Sequence, residues 1–304
     1  MKFDYDELAK KFFEQLNGNT KIITLEDFTN EYISFVDRNR AAKTCEGVKL
    51  VAKHLLAFYP PVKEINTIEL KDAENFIDHL RKTAPLGVYN YLRTLKSMFN
   101  KGIEWNYIRS NVFEKVRLPK RQIQKPNYVN EIQLKEIIKH IETEIVKDVV
   151  MTAFYSGCRL GEIVNLTWQD VNLKDELLNI GNKTFETKTR KQRSVPIHPK
   201  IMEILIKRFP KIIKKEKHYV FCKNVGSPFT GDYFSKRFKC ACREAGLNED
   251  IHFHCLRHGA ATRMIINGAP LPSVQRILGH SNIQTTMIYT HPDLKSLRDA
   301  VNML

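Results

Sequence analysis

Leu278-Gly279-His280-Ser281-Asn282-Ile283-Gln284-Thr285-Thr286-Met287-Ile288-Tyr289, with His254-Cys255-Leu256-Arg257-His258 just before it, is the part of this chain whose reading decides the rest. Histidines, an arginine and a tyrosine crowd into this short C-terminal stretch. Arg159 and Lys188 stand farther back in segments of their own. Guanidiniums, an ammonium, imidazoles and a phenol together are sufficient to attack a phosphodiester without a metal. The guanidiniums and imidazoles oppose developing charge on the phosphoryl group, and the phenol supplies a nucleophilic oxygen.

The local patterns around these residues are helical. Gly157 follows an apolar helical run from Val146 to Tyr155 and lets the chain turn, so that Arg159 projects from the start of the next helix. Anions are favoured at a helix N-terminus, and a guanidinium forks onto paired phosphate oxygens. Glu162, three residues on, shares the helical face of Arg159 and can hold its guanidinium in place. His254, Arg257 and His258 fall on one side of a helix. Pro270 and Pro272 mark the start of another helix, which Leu278-Gly279-His280 ends.

Ser156-Gly157-Cys158-Arg159-Leu160-Gly161-Glu162 resembles the T-G-x-R-x-x-E arginine box of the tyrosine recombinase (phage integrase) family, with Ser in place of the leading Thr. His254-Cys255-Leu256-Arg257 matches that family's H-x-x-R box. Leu278-Gly279-His280 matches its L-G-H box, and Tyr289 follows His280 by the family's nine positions. Lys188, in Thr187-Lys188-Thr189 ahead of Arg193-Ser194-Val195-Pro196, aligns with the hairpin lysine; Lys183 and Lys191 compete for that place. The resemblance covers nearly the whole chain. It implies a Tyr289 nucleophile and a 3′-phosphotyrosyl intermediate. Arg159, Arg257 and His280 would then lie on the phosphate, with His254 as base for the phenol and Lys188 as acid. Glu162 and His258 take supporting places. No nucleotide cofactor and no metal is implied, because the bond energy stays in the protein–DNA link.

Composition agrees with such a partner. The chain has 304 residues, 49 Lys+Arg against 34 Asp+Glu, and a formal charge of +15. An excess of that size points to a polyanion, most simply nucleic acid. The N-terminus from Met1 to Lys11 carries Asp4, Asp6 and Glu7 and does not read as a signal peptide. No stretch approaches the roughly 20 apolar residues of a membrane span. The expected location is the cytoplasm, with the six cysteines reduced. Cys240-Ala241-Cys242 near His252, His254 and Cys255 invites a zinc reading, but its spacing is wrong for a knuckle, and buried structural cysteines fit better.

The expected architecture is mainly α. Residues 1–117 read as an all-helical domain that resembles the family's core-DNA-binding domain. Thr24-x-x-Asp27 caps a stripe of Leu25, Phe28, Tyr32 and Val36. Further stripes run from Val48 to Tyr59 and from Val88 to Phe99. Ser110-Asn111-Val112 stands where the family commonly has N-P. Residues 118–128, Leu-Pro-Lys-Arg-Gln-Ile-Gln-Lys-Pro-Asn-Tyr, form a basic linker. Residues 129–304 form a mainly helical catalytic domain with a small antiparallel sheet, its strands read at Leu177–Ile180, Thr184–Thr187 and Ser194–Ile197.

The resemblance implies a clamp of the two domains around double-stranded DNA at an inverted-repeat core site, as a dimer per site and a homotetramer in the synapse. Leu294, Leu297, Val301 and Leu304 are spaced for an amphipathic tail helix that docks on a neighbour or on its own domain. The short chain before Thr24 favours an Xer-like recombinase or a compact mobile-element integrase. Other readings share the pattern. A non-catalytic DNA-binding protein on the same scaffold could use Pro270 to Thr286 as a helix-turn-helix. A topoisomerase would share the chemistry without exchange between sites.

Overall fold

A computed structural model describes residues 21–120, 126–181, 192–209, 218–223, 227–290, 298 and 301–302. It divides into two compact units, Met1–Gln122 and Ile123–Leu304. The expected strand Thr184–Thr187, the competing lysines Lys183, Lys188 and Lys191, and the tail leucines Leu294, Leu297 and Leu304 lie outside the described residues.

The first unit contains α1 (Leu25–Asn39), α2 (Ala42–Phe58), α3 (Leu70–Thr83) and α4 (Val88–Glu104). Thr24 is the N-cap of α1, its Oγ1 accepting the Asp27 N–H at 3.1 Å, as the capping signal predicts. The stripes predicted from Leu25, Val48 and Val88 all turn inward on one core. Phe28 and Phe99 meet edge to face with ring centroids 5.7 Å apart. Helix α3 was not expected. Its Ala73, Phe76, Ile77 and Leu80 carry the full apolar stripe, but the gaps between them hold only polar and charged residues, Glu74-Asn75 and Asp78-His79. Asn111 is buried: its side chain accepts from Phe113 N and donates to Lys96 O at 2.8 Å and Asn100 Oδ1 at 2.7 Å. It thereby pins the turn after α4 to the helix itself.

In the second unit, α5 (Glu131–Lys139) opens on a capping box between Asn130 and Gln133. Helix α6 (Glu144–Ser156) is buried almost all round, with Val146, Val149, Val150, Ala153 and Phe154 in the core. Around it lie α7 (Leu160–Val164), α8 (Pro199–Arg208), α9 (Gly231–Glu244) and α10 (His254–Ile266), followed by α11 (Leu271–Leu278) and α12 (Gln284–Met287). The sheet is antiparallel in the order β1 (Val171–Asn172), β2 (Leu177–Ile180), β3 (Arg193–Pro196). Strand β1 was not expected, since two residues carry no alternation to read. Strand β3 begins one residue before the expected start, and that shift has consequences for the site.

Cys242 and Cys255 are buried, as expected, but Cys240 is exposed. Among the described residues no group of three or more side chains could hold a metal, and no helix is long and apolar enough to cross a membrane. Helix α12 has four residues. That is too little for the second, groove-reading helix of a helix-turn-helix.

Candidate active site

The site begins where α6 stops. Gly157 closes that helix in the left-handed region at φ +66°. An added Cβ there would stand 2.8 Å from Leu278 Cδ2, so both conformation and space call for glycine. Two residues later Arg159 occupies the N-cap of α7. Glu162 accepts the Arg159 backbone N–H at 2.8 Å and its Nη1–H at 3.0 Å, which is the holding role the sequence predicts.

Glu162 has a second and better-buried partner. Arg193 donates to both Glu162 oxygens, at 3.0 and 2.7 Å, and its Nε–H donates to Ile277 O at 2.7 Å. The side chains of Arg193 and Glu162 are 6% and 3% exposed. Burial alone would push the Glu162 carboxyl up, but the hydrogen bonds and charge of Arg193, with Arg159 behind them, hold it below the usual range. Arg193 was not singled out from the sequence. The signal lies in sheet register: Arg193 sits opposite Ile180 and Val195 opposite Leu178, so Arg193 shares the inward face of the sheet.

Helix α10 supplies the next set. Arg257 is 2% exposed, and its guanidinium donates to Gly157 O at 2.7 Å and Leu278 O at 2.6 Å. Those carbonyls lie at the C-terminal ends of α6 and α11, where a cation is favoured. Burial and then repulsion from Arg159 pull Arg257 down to about 10, so it stays charged at neutral pH. Beside it opens a cleft of about 430 Å³ lined by His252, His254, Arg257, Lys236 and Lys239 among others. Gly259 lets the segment before α5 cross α10 closely. A Cβ there would fall 2.2 Å from Val129 O.

The chain leaves α11 through Gly279, at φ +67°, with Arg193 packed against it. His280 follows, its Nδ1 lying 2.8 Å from the hydroxyl of the fully buried Thr286. Tyr289 then returns to α10. It is 6% exposed, with its ring stacked toward His280 at 6.5 Å and 15°. Its Oη lies 2.6 Å from Nδ1 of His258. The imidazole against the phenol is therefore that of His258 and not of His254, the residue expected there. His254 stands edge-on to His258 with centroids 4.8 Å apart. Both lie on the predicted side of the helix, but only the position four residues on from His254 meets the returning tyrosine.

Electrostatics join these groups into one site. His254, His258 and His280 are each pushed down to about 4, first by burial and then by neighbouring imidazoles and guanidiniums, Arg257 among them in every case. By surface accessibility His254 is nonetheless exposed, at the mouth of the cleft. Burial pushes the Tyr289 phenol up, while Arg257 and Arg159 act to lower it. The result is a positively charged recess holding neutral imidazoles and a neutral phenol. Of the residues expected from sequence, Arg159, Glu162, Arg257, His258, His280 and Tyr289 belong to this array, and His254 borders it.

The chain is similar in sequence and fold to known proteins. The profile described as "Phage integrase family" matches residues 127–295, and that of a "Phage integrase SAM-like domain" matches residues 8–118. The Tyrosine recombinase XerD of Listeria monocytogenes is 28% identical over 291 residues, covering 90% of this chain and 96% of the relative. Among solved structures, the Tn1549 transposon integrase in complex with a circular-intermediate DNA aligns with a TM-score of 0.77 at 20% identity, covering 93% of this chain and 100% of that one. A lambda integrase dimer bound to a COC′ core site also gives 0.77, at 17% identity, over 96% of this chain and 85% of that one. With its arginines, histidines and tyrosine assembled around one recess, the chain belongs to the phage integrase family and is a tyrosine recombinase, an enzyme that cuts and rejoins DNA.

Proposed function

We propose that Tyr289 is the nucleophile of a site-specific recombination reaction and that it forms a 3′-phosphotyrosyl link to one DNA strand. The observation that carries this reading is the Tyr289 Oη held 2.6 Å from an imidazole in a recess where Arg159 and Arg257 both act on the phenol. The phenol oxygen bonds to phosphorus, the bond to the 5′ oxygen breaks, and Lys188 protonates the departing alkoxide. Arg159 and Arg257 oppose the charge that builds on the non-bridging oxygens. A Thr286 hydroxyl that donates to Nδ1 of His280 leaves Nε2 to carry the ring hydrogen toward the same oxygens. His254, at the mouth of the basic cleft, adds a donor on that side. Attack by a 5′ hydroxyl from another strand reverses the steps, so no nucleotide is consumed.

The wider assignment has three segments. Residues 1–117 bind the core duplex, 118–128 track the backbone as a linker, and 129–304 carry the chemistry. An inverted repeat takes one copy per half-site, two in all; a lambda integrase is likewise a dimer when bound to a COC′ core site. Exchange between a pair of such sites then needs four copies, one for each half-site. On this reading the protein works in the cytoplasm, as an Xer-like recombinase or the integrase of a mobile element.

On a suicide substrate nicked beside the cleavage point, the wild-type chain should trap an adduct that survives denaturant. Tyr289→Phe should bind the same DNA and form none. An adduct of normal yield from Tyr289→Phe would remove Tyr289 from the role.

A further inference from the structure

We infer that His258 is the catalytic base for Tyr289: its Nδ1 accepts the phenol proton during cleavage and returns it during rejoining. The inference rests on Tyr289 being the nucleophile and goes beyond it by assigning the other end of the nucleophile's hydrogen bond.

A general base must lie within hydrogen-bond reach of the proton it takes, about 2.6–3.2 Å between heavy atoms. His258 Nδ1 meets that condition at 2.6 Å from Tyr289 Oη. The ring planes are inclined by 47° with centroids 5.6 Å apart, so the contact runs edge to hydroxyl and not face to face. His258 is fixed on α10 next to Arg257, whose guanidinium is anchored to the ends of α6 and α11. The base and the phosphate-facing cation thus ride on adjacent residues of one rigid helix. Tyr289 is buried and presents its phenol to α10. The His280 ring runs nearly parallel to that of Tyr289 at 6.5 Å, with its Nδ1 already engaged by Thr286. His254 meets the edge of His258 instead of the phenol. A neutral His258 has an open lone pair for the proton, and burial keeps the ring neutral in the free protein.

The step balances. As the Oη–P bond forms and the P–O5′ bond breaks, the phenol proton passes to Nδ1 and Lys188 supplies a proton to the 5′ oxygen. In rejoining, the incoming 5′ hydroxyl gives its proton to Lys188, the P–Oη bond breaks, and Nδ1 returns its proton to the phenolate. The negative charge leaving Oη moves onto the phosphoryl oxygens, where Arg257 and Arg159 lie. An anion there makes a protonated His258 easier to hold.

The test separates proton transfer from mere packing. His258→Asn keeps an acceptor oxygen near the Nδ1 position but cannot take a proton at neutral pH. His258→Gln, which fills more of the imidazole volume, is carried alongside. Band shifts on a half-site confirm that both fold and bind. Single-turnover cleavage of a suicide substrate should fall on the order of 10²–10⁴-fold in either variant. Cleavage is then repeated with a ring-fluorinated tyrosine at position 289, whose phenol is ionised at the assay pH and has no proton to give. The ratio of wild-type to variant rates cancels the weaker nucleophilicity of that phenolate. It should collapse to less than about tenfold if proton acceptance was the lost function.

A ratio that stays as large with the fluorinated residue would overturn the inference, since His258 would then act only by holding structure. Near wild-type rates from His258→Asn with ordinary tyrosine would do the same. Collapse of the corresponding ratio in His254→Asn, with none in the His258 variants, would move the proton to His254. Failure of the nucleophile assignment is read separately, as adduct formation by Tyr289→Phe.

Discussion

Replacing Arg193 by Met removes a charge and three hydrogen bonds to oxygen from the interior while keeping an unbranched stem of similar reach. The consequence follows from what is left behind. Glu162 would remain 3% exposed with only the backbone N–H and Nη1 of Arg159 as partners. Stripping one member from a buried ion pair costs about 3–5 kcal/mol. Because Arg159 still serves the carboxylate, the lower end applies, about 3 kcal/mol. For a unit of the size of Ile123–Leu304, each kcal/mol moves the melting temperature by about 2–4 °C, so the drop should be about 6–12 °C. The Met1–Gln122 unit serves as an internal control whose transition stays in place. Pairing is then isolated with Glu162→Leu and the double variant, which should lose less than the sum of the single losses. The Glu162 carboxyl titrates lower in the folded chain than its ordinary 4.5. Its contribution is therefore full above about pH 4.5 and is lost as pH falls through the lower folded value. Losing Arg193 lets burial push the Glu162 carboxyl upward, so the gap between wild type and Arg193→Met should be widest at neutral pH and narrow as the pH falls through the carboxylate range. A melting shift below about 2 °C, or strictly additive single and double variants, would refute the assignment of Arg193 as the interior partner of Glu162.

Other outcomes follow from geometry nearby. Gly259→Ala would force its Cβ against the Val129 carbonyl and should lose about 1–3 kcal/mol, read as a lower denaturation midpoint; a variant as stable as wild type would show that the crossing over α10 is looser than it stands. If Lys188 is the acid, Lys188→Ala should cleave an ordinary phosphodiester poorly and a 5′-bridging phosphorothiolate at near wild-type rate, because a thiolate needs little protonation. Arg257→Ala should show no such rescue, and rescue confined to Lys183→Ala or Lys191→Ala would move the acid to that lysine.

Much of this site was legible in the sequence because its parts are local. Gly157 two residues before Arg159, and Gly279 one residue before His280, state in sequence where helices end and where a side chain emerges. The capping signal at Thr24 and the stripes of α1, α2 and α4 needed nothing beyond their own spacing. What escaped reading depends on contacts between distant segments. Strand β3 carries Arg193 into the interior only because Ile180 and Leu178 of its neighbour already face the core. A one-residue difference in where that strand begins decides whether the arginine is seen as a loop charge or as a buried ion-pair partner. The choice between His254 and His258 had the same character. Both occupy one side of α10, and the distinction is made by a tyrosine that arrives from 31 residues away.

These distant contacts also explain how the fold tolerates so much unbalanced positive charge in one recess. Arg159 is steadied by Glu162, Arg193 neutralises that same carboxylate, and Arg257 rests on carbonyls at the ends of α6 and α11. One carboxylate is thus shared by two guanidiniums, and the third is held by dipoles instead of a full negative charge. Repulsion between Arg159 and Arg257 survives this arrangement, since it still helps to pull Arg257 down to about 10. A second carboxylate would have quenched that repulsion and stabilised the empty site. Backbone carbonyls fix the guanidinium, and Glu162 offsets only part of its charge, so an anion from outside completes the compensation. A phosphodiester supplies one negative charge in the ground state and more as the pentacovalent phosphorus forms. On the proposed placement of Arg159 and Arg257 at the scissile phosphate, the attraction grows along the reaction coordinate, which is the condition for the arginines to speed the chemistry and not merely tighten binding.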